Sequence, residues 1–279
     1  SDSKRPSRVR NKSYGRAMNC ELSVQELAEY RTNGFVVRRS VFQRRELGAL
    51  RSAAGIAVAT AQQLSCSVAA KQYLLDGHRF VDIGHVTVQF EHHEQAHQIR
   101  VIEPVHHLHK EFEALVDDKR LVMPMRQLVR SDEVGLWTAK LNVKSAQCGS
   151  SFGWHQDAPY WVHDHDQVER LPNVMLNFDD SSTDNGCLHL IRGTHKLGML
   201  PGCNDGRQLA GFYTDPKYFD ESDQVAVEVP AGSLVFFDPL IVHGSPANTS
   251  SRPRRGIILT YQPAQRPTLK KGDVRNAGC

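Results

Sequence analysis

The sequence predicts a mainly β protein in which an N-terminal layer of α-helices packs on a jelly-roll core. Three observations point there. From Gly135 onward, short apolar runs alternate with polar residues: Leu136–Lys144, Val174–Phe178, Cys187–Ile191, Val225–Val229, Ser233–Phe237 and Gly256–Tyr261. Turn signals separate them, at Cys148-Gly149-Ser150, Asp184-Asn185-Gly186, Arg192-Gly193, Pro201-Gly202 and Pro230-Ala231-Gly232. Several short strands at this spacing indicate a sandwich or barrel. Before Gly135 the apolar residues mostly take helical spacing instead. A chain of 279 residues is long enough for a sizeable core and shows no internal repeat. The expected organisation is a single domain over 21–279, with the jelly roll at about 135–262.

The elements follow in order. Residues 1–20 hold Lys4, Arg5, Arg8, Arg10, Lys12 and Arg16 against one acid, Asp2, with little apolar content. They predict a disordered basic tail, native or left over from expression. Ser23-Val24-Gln25-Glu26 is a capping box that opens a helix through Leu27 and Tyr30, stopped by Asn33-Gly34. Phe35–Val37 reads as a short strand. A second helix spans about Arg44 to Leu64, with Leu47, Leu50, Ala54 and Val58 on one face. Strand-like runs at Arg79–Ile83 and His85–Phe90 precede a third helix from Pro104 to about Asp117.

Lys+Arg 34 less Asp+Glu 31 leaves +3. A balanced chain is neither a strongly basic nucleic-acid binder nor an acidic, solvating one. No uncharged apolar run approaches the roughly 20 residues of a membrane span. The cysteines Cys20, Cys66, Cys148, Cys187, Cys203 and Cys279 stand singly, with no C-x-x-C pair. They are expected to be reduced thiols in a cytoplasmic protein, a monomer or homodimer acting on a small molecule.

Histidines invite metal readings. His93-Glu94-Gln95-Ala96-His97 matches H-E-x-x-H, which on a helix would hold zinc and supply a glutamate base. Its flanks are those of a strand followed by polar residues, so an exposed loop or helix start is the preferred reading. A zinc hydrolase built on His93, Glu94 and His97 stays as the alternative, which His97→Ala would separate from the reading below. His106, His107 and His109 are expected on a helix, facing solvent or the core edge. His163 and His165 alternate with Asp164 and Asp166, which suggests a solvated loop.

A different constellation carries chemistry. His155 and Asp157 follow a strand and a glycine-rich turn, two apart, so on extended backbone they point the same way. His243 ends the apolar run Val235–Val242 and is the obvious third ligand. Two histidines and one carboxylate form the facial set that holds Fe(II) and leaves positions open. Downstream lie Arg252, Arg254 and Arg255, residues suited to a bidentate grip on a carboxylate. On the strand Leu136–Lys144, Thr138, Lys140, Asn142 and Lys144 share one face. Trp137, Ala139, Leu141 and Val143 share the other. Trp161, in polar surroundings just after the metal segment, is a candidate for the substrate pocket. Trp154, Phe236 and Phe237 read as core. Lys140 and Gln89 are tentative substrate contacts, suited to a polar or anionic molecule.

These residues bring out a resemblance to the phytanoyl-CoA dioxygenase-like Fe(II)/2-oxoglutarate oxygenases. The segments that carry it are Trp154-His155-Gln156-Asp157 with Pro159-Tyr160-Trp161, Asp184–Leu188 with Arg192–His195, Gly232–Asp238, His243–Ser245, and Asn248–Ser250 with Arg254. Arg192 stands where the family usually has proline. The resemblance runs from about Glu21 to Gln262. It implies a double-stranded β-helix (jelly-roll, cupin-like) core and Fe(II), 2-oxoglutarate and O2 as cofactors. It implies iron ligation by His155, Asp157 and His243. It implies that Arg254, helped by Ser245, grips 2-oxoglutarate, with Arg252 and Arg255 as competing assignments and Asn142 and Lys144 as further contacts. Related halogenases lack the metal-binding carboxylate, so Asp157 implies hydroxylation, desaturation or ring chemistry, with succinate and CO2 released. The other alternative is a jelly-roll protein that keeps the metal without turnover. Specificity is expected from about Ser65–Arg100 and Gly198–Asp223.

Overall fold

The computed structural model describes residues 20–92, 96–207 and 212–279. All but Cys20 of the expected basic tail lies outside the described residues, as do His93 and Glu94 of the H-E-x-x-H match. Helix α1 (Val24–Asn33) begins as the sequence predicts: Ser23 Oγ accepts from the Glu26 amide, and the Glu26 carboxylate accepts from the Ser23 amide. Gly34 ends it in the left-handed region, φ 87°. A Cβ there would lie 2.6 Å from His195 Nδ1, so only glycine fits.

The chain then enters β1 (Phe35–Arg38) and α2 (Arg44–Ser65), whose Leu47, Leu50, Ala53, Ala54, Ala57 and Ala61 are buried. Strands β2 (Lys71–Leu75), β3 (His78–Ile83), β4 (Val86–Phe90) and β5 (Ile99–Glu103) form an antiparallel meander. Only β3 and β4 were readable in the sequence. The first strand is mostly exposed and β5 is almost wholly buried, so neither shows half-buried alternation.

The single helix expected over Pro104–Asp117 is instead a 3-10 turn at His106–Leu108 and a short α3 (Lys110–Val116) capped by His109. An unexpected α4 (Lys119–Val129) follows, capped by Asp118. Its interior Pro124 is a helix-breaking signal in the sequence. The remaining strands are β6 (Val134–Lys144), β7 (Phe152–His155), β8 (Asn173–Asn177), β9 (His189–Ile191), β10 (Gln224–Ala226), β11 (Leu234–Phe237), β12 (His243–Ser245) and β13 (Arg254–Pro263).

They form two antiparallel sheets, a nine-stranded one in the order β1-β11-β8-β13-β6-β5-β4-β3-β2 and a four-stranded one in the order β10-β9-β12-β7. This is the mainly β, jelly-roll architecture with N-terminal helices that the sequence predicts. The large sheet's strands β8 and β11 are buried at every position, covered on both faces, which explains their near-continuous apolar runs. On β8, Val174 and Leu176 join the layer beneath α2, α3 and α4, while Met175 joins the layer between the sheets.

Two local readings are corrected. Between Thr260 and Tyr261 the β13–β6 register slips by one residue, leaving Trp137 as an extra residue of β6. That bulge lifts it off the Ala139–Leu141 face to pack against Trp161 and His165. His165 accordingly is no solvated residue: it is 7% exposed, and its Nδ1 accepts from the Gln167 amide. Among the described residues the six cysteines form no disulfide. No helix among the described residues is long and apolar enough to cross a membrane.

Candidate active site

His155 closes β7 and His243 opens β12, and the two face each other directly across the antiparallel pair. Their rings lie 4.2 Å apart between centroids. Asp157, two residues past His155, presents Oδ1 4.0 Å from His155 Nε2 and Oδ2 3.7 Å from His243 Nε2. Among the described residues these three form the one cluster of histidine, cysteine and acidic side chains whose ligand atoms converge, all within 4.8 Å.

Backbone carbonyls set the rings. His155 Nδ1 lies 2.7 Å from the Gly153 carbonyl and His243 Nδ1 3.0 Å from that of Ile241. A carbonyl only accepts, so each Nδ1 donates to it and each Nε2 is turned toward Asp157. Burial, reinforced by His243, pushes His155 down to about 3 and keeps it neutral. Burial alone would raise the Asp157 carboxyl. Lys140, the two histidines and the 2.9 Å hydrogen bond from Asn173 hold it below its ordinary value. Two imidazoles that present Nε2 and one carboxylate make a donor set suited to a divalent transition metal.

The cluster opens into a cavity of about 400 Å³ between the two sheets. Arg254 lines it, 3% exposed. One guanidinium nitrogen donates to the Gly186 carbonyl, Nε has no partner, and no carboxylate lies within ion-pair distance among the described residues. A buried guanidinium without a counter-ion fits a carboxylate ligand. The alternatives point elsewhere. Arg255, on the other face of β13, pairs with Asp179 at 2.8 Å, and Arg252 lies 3.9 Å from Asp184 at the surface.

Ser245 and Asn142 also line the cavity. Lys144 does not. Its ammonium turns to the Ser245 and Pro246 carbonyls, packed so tightly under Gly186 that a Cβ on that glycine would lie 2.8 Å from Lys144 Cδ. Burial, Arg254 and Arg100 push Lys144 down to about 6.

The expected substrate residues Gln89, Lys140 and Trp161 all reach the cavity. Lys140 Nζ lies 3.7 Å from Asp157 Oδ1 and 5.3 Å from the Trp161 ring centroid. Burial opposes its charge, yet Asp157 and Glu103 hold its pKa above the ordinary value. Trp154, half-buried, packs its ring at an angle against His189 and Phe219 rather than at the cavity; Phe236 and Phe237 are core. His97, from the alternative zinc motif, is exposed and joins no cluster among the described residues.

Sequence reasoning missed His78, His92, Arg100 and Tyr213, which sit in the two segments expected to set specificity, and the C-terminal Leu269 and Lys270. None carries a motif. Only contacts across the sheets bring them to the cavity.

A sequence model of the family described as "Phytanoyl-CoA dioxygenase (PhyH)" matches residues 30–256. The chain is 30% identical over 181 residues to the ectoine dioxygenase of Halomonas elongata, covering 60% of this chain and 54% of that protein. It is 28% identical over 145 residues to the L-proline trans-4-hydroxylase of Streptomyces griseoviridis, covering 46% and 54%. The match thus spans little more than half the length of these relatives. Among solved structures, EctD from S. alaskensis with bound Fe superposes with a TM-score of 0.66 at 23% identity, covering 89% of this chain and 79% of that one. The same protein with 2-oxoglutarate and 5-hydroxyectoine gives 0.65 at 23%, covering 92% and 85%. These likenesses show a shared fold.

Proposed function

The chain belongs to the phytanoyl-CoA dioxygenase family, and on that premise we propose that it is an Fe(II)/2-oxoglutarate-dependent oxygenase that hydroxylates a small molecule, working as one domain over 21–279. One observation carries the reading: a converging His–His–Asp cluster and a buried, counter-ion-free arginine share a single cavity. His155 Nε2, His243 Nε2 and the Asp157 carboxylate would hold the iron. Arg254 would hold the far carboxylate of 2-oxoglutarate, with Ser245 and Asn142 beside it. When bound, iron and 2-oxoglutarate supply the oxidation of a C–H bond by O2, with release of succinate and CO2.

The chain's own residues do the rest. Asn173 orients Asp157 and is itself held by Thr260, an outer contact that fixes the ligand before any metal arrives. Lys140 balances the carboxylate from the cavity side. Trp161, packed on Trp137 and 2% exposed, walls the cavity against water.

The relatives' named substrates make a first panel. Succinate is measured from 2-oxoglutarate under air with Fe(II), with ectoine or L-proline, and with His155→Ala as the blank. Iron-dependent succinate that disappears in the variant is expected. Binding of 2-oxoglutarate without succinate under every condition points to the non-catalytic alternative, and no binding of iron or 2-oxoglutarate defeats the proposal outright.

A further inference from the structure

Strand β5 is irregular where it meets the cavity. Gln89 pairs with Val101 while Phe90 pairs with Ile99, so Arg100 is the extra residue of a bulge. Strict alternation would place Arg100 on the face of Ile102, in the apolar layer beneath the helices. The bulge re-aims it, and Arg100 lines the cavity with Val101 and Glu103.

The guanidinium is 4% exposed and lies 3.7 Å from the Phe152 ring centroid. It donates to Ser150 Oγ at 3.2 Å and to the Ser151 carbonyl at 3.1 Å. Its Nε has no partner, and no carboxylate is within ion-pair distance among the described residues. The acid that acts on it most, Glu91, has one carboxylate oxygen engaged by the Ser150 amide and hydroxyl. Arg100 is therefore held in place by three contacts, and buried Glu91 reaches it through the Ser150 hydroxyl rather than as a direct ion pair. A buried cation in that condition is unfavourable unless something anionic completes it. Arg254, likewise without an ion pair, lines the same cavity, so the cavity holds two buried guanidinium groups where the far carboxylate of 2-oxoglutarate needs one.

We propose that Arg100 anchors the substrate, gripping a terminal oxyanion, carboxylate or phosphonate, while the remainder of the molecule reaches toward His155, Asp157 and His243. This rests on the oxygenase reading, because it assigns Arg254 to the co-substrate. The planar guanidinium fork matches either oxyanion in bidentate fashion, and its stacking on Phe152 and bonds to Ser150 and Ser151 fix the fork beforehand. A cavity of about 400 Å³ suits a small metabolite beside the co-substrate.

The test uses protein loaded with Fe(II) without oxygen and saturated with 2-oxoglutarate, so that Arg254 is occupied. Methylphosphonate, acetate and neutral acetamide are titrated by calorimetry into the wild type, Arg100→Ala and Arg100→Lys. The wild type should bind at least one anion and not acetamide. Arg100→Lys, which keeps charge and bulk, should weaken the anion at least tenfold, and Arg100→Ala should abolish it, with 2-oxoglutarate affinity unchanged in both. If Arg100→Ala fails to fold, Arg100→Lys decides. Equal anion affinity in wild type and Arg100→Lys overturns the assignment, as does equal binding of acetate and acetamide. So does wild type that takes up 2-oxoglutarate but neither anion. Each leaves the oxygenase reading standing, whereas failure of the wild type to bind 2-oxoglutarate removes that reading and this one with it.

Discussion

Replacing Arg254 by methionine should move stability and co-substrate affinity in opposite directions. Burial pushes the guanidinium down to about 10, equivalent to about 3 kcal/mol against the charged form. The lowered value lies far above neutrality, so this cost is present in full at pH 7 and relieved only as pH rises through about 10. Methionine keeps much of the volume, carries no charge and adapts to the gap. It forfeits the bond to the Gly186 carbonyl, a loss of ~1 kcal/mol. The metal-loaded variant should therefore be more stable than wild type by roughly 1–2 kcal/mol, a rise in Tm of about 2–6 °C for a chain this size.

With 2-oxoglutarate the order should invert. A ligand at a hundred times its Kd stabilises wild type by ~2.7 kcal/mol. Removing the arginine from a buried, hydrogen-bonded charge pair weakens binding by about 2–5 kcal/mol, or thirty-fold to several thousand-fold. The variant should gain almost nothing at the same concentration. Differential scanning calorimetry with and without 2-oxoglutarate, beside a calorimetric titration, reads both effects. A variant that melts below wild type in the absence of 2-oxoglutarate, or that shows the same ligand-induced rise, would refute the reasoning.

Two further outcomes follow from the same geometry. Asp179 accepts from the Arg255 amide, Nε and Nη2 at 2.8–3.0 Å and from Arg51 Nε at 2.9 Å, tying α2 to β13. Both arginines are partly exposed, so Asp179→Ala should cost about 2 kcal/mol rather than the full buried-pair penalty. Urea denaturation should show a lower midpoint at unchanged m, and an unmoved midpoint would mean the tie contributes nothing. Lys144 is pushed down to about 6 by burial, Arg254 and Arg100, whereas the unfolded chain keeps that proton until about pH 10. Between those values the unfolded state binds more protons, so stability from this residue rises with pH by up to ~1.4 kcal/mol per unit. Below about pH 6 the whole cost of the buried charge remains. Lys144→Met should flatten Tm against pH from 6 to 9, and parallel wild-type and variant curves would defeat the assignment.

What the sequence alone determined is what neighbouring residues decide. The α1 boundaries follow from Ser23, Glu26 and Gly34, whose bonds close within a few positions. The two-residue spacing of His155 and Asp157 suggests a shared side, although β7 ends at His155 and Asp157 already takes helical backbone, and His243 stands out at the end of an apolar run. Those signals, with the family resemblance they led to, gave the fold class and the converging cluster of His155, Asp157 and His243. Tertiary structure decided the rest. Parity shows that Arg254 and Arg255 part company, but only Asp179 on one face and the cavity on the other show which goes where. Trp137 and Arg100 defy parity because each is the extra residue of a bulge, and a bulge exists only against the register of its partner strand. His165 looked solvated among its acidic neighbours, and Trp137, distant in sequence, buries it. Alternation and capping act over a few residues and can be read in order. Register, burial and the company of charges are set by strands far apart in the chain, and they exist only once the sheets have closed on each other.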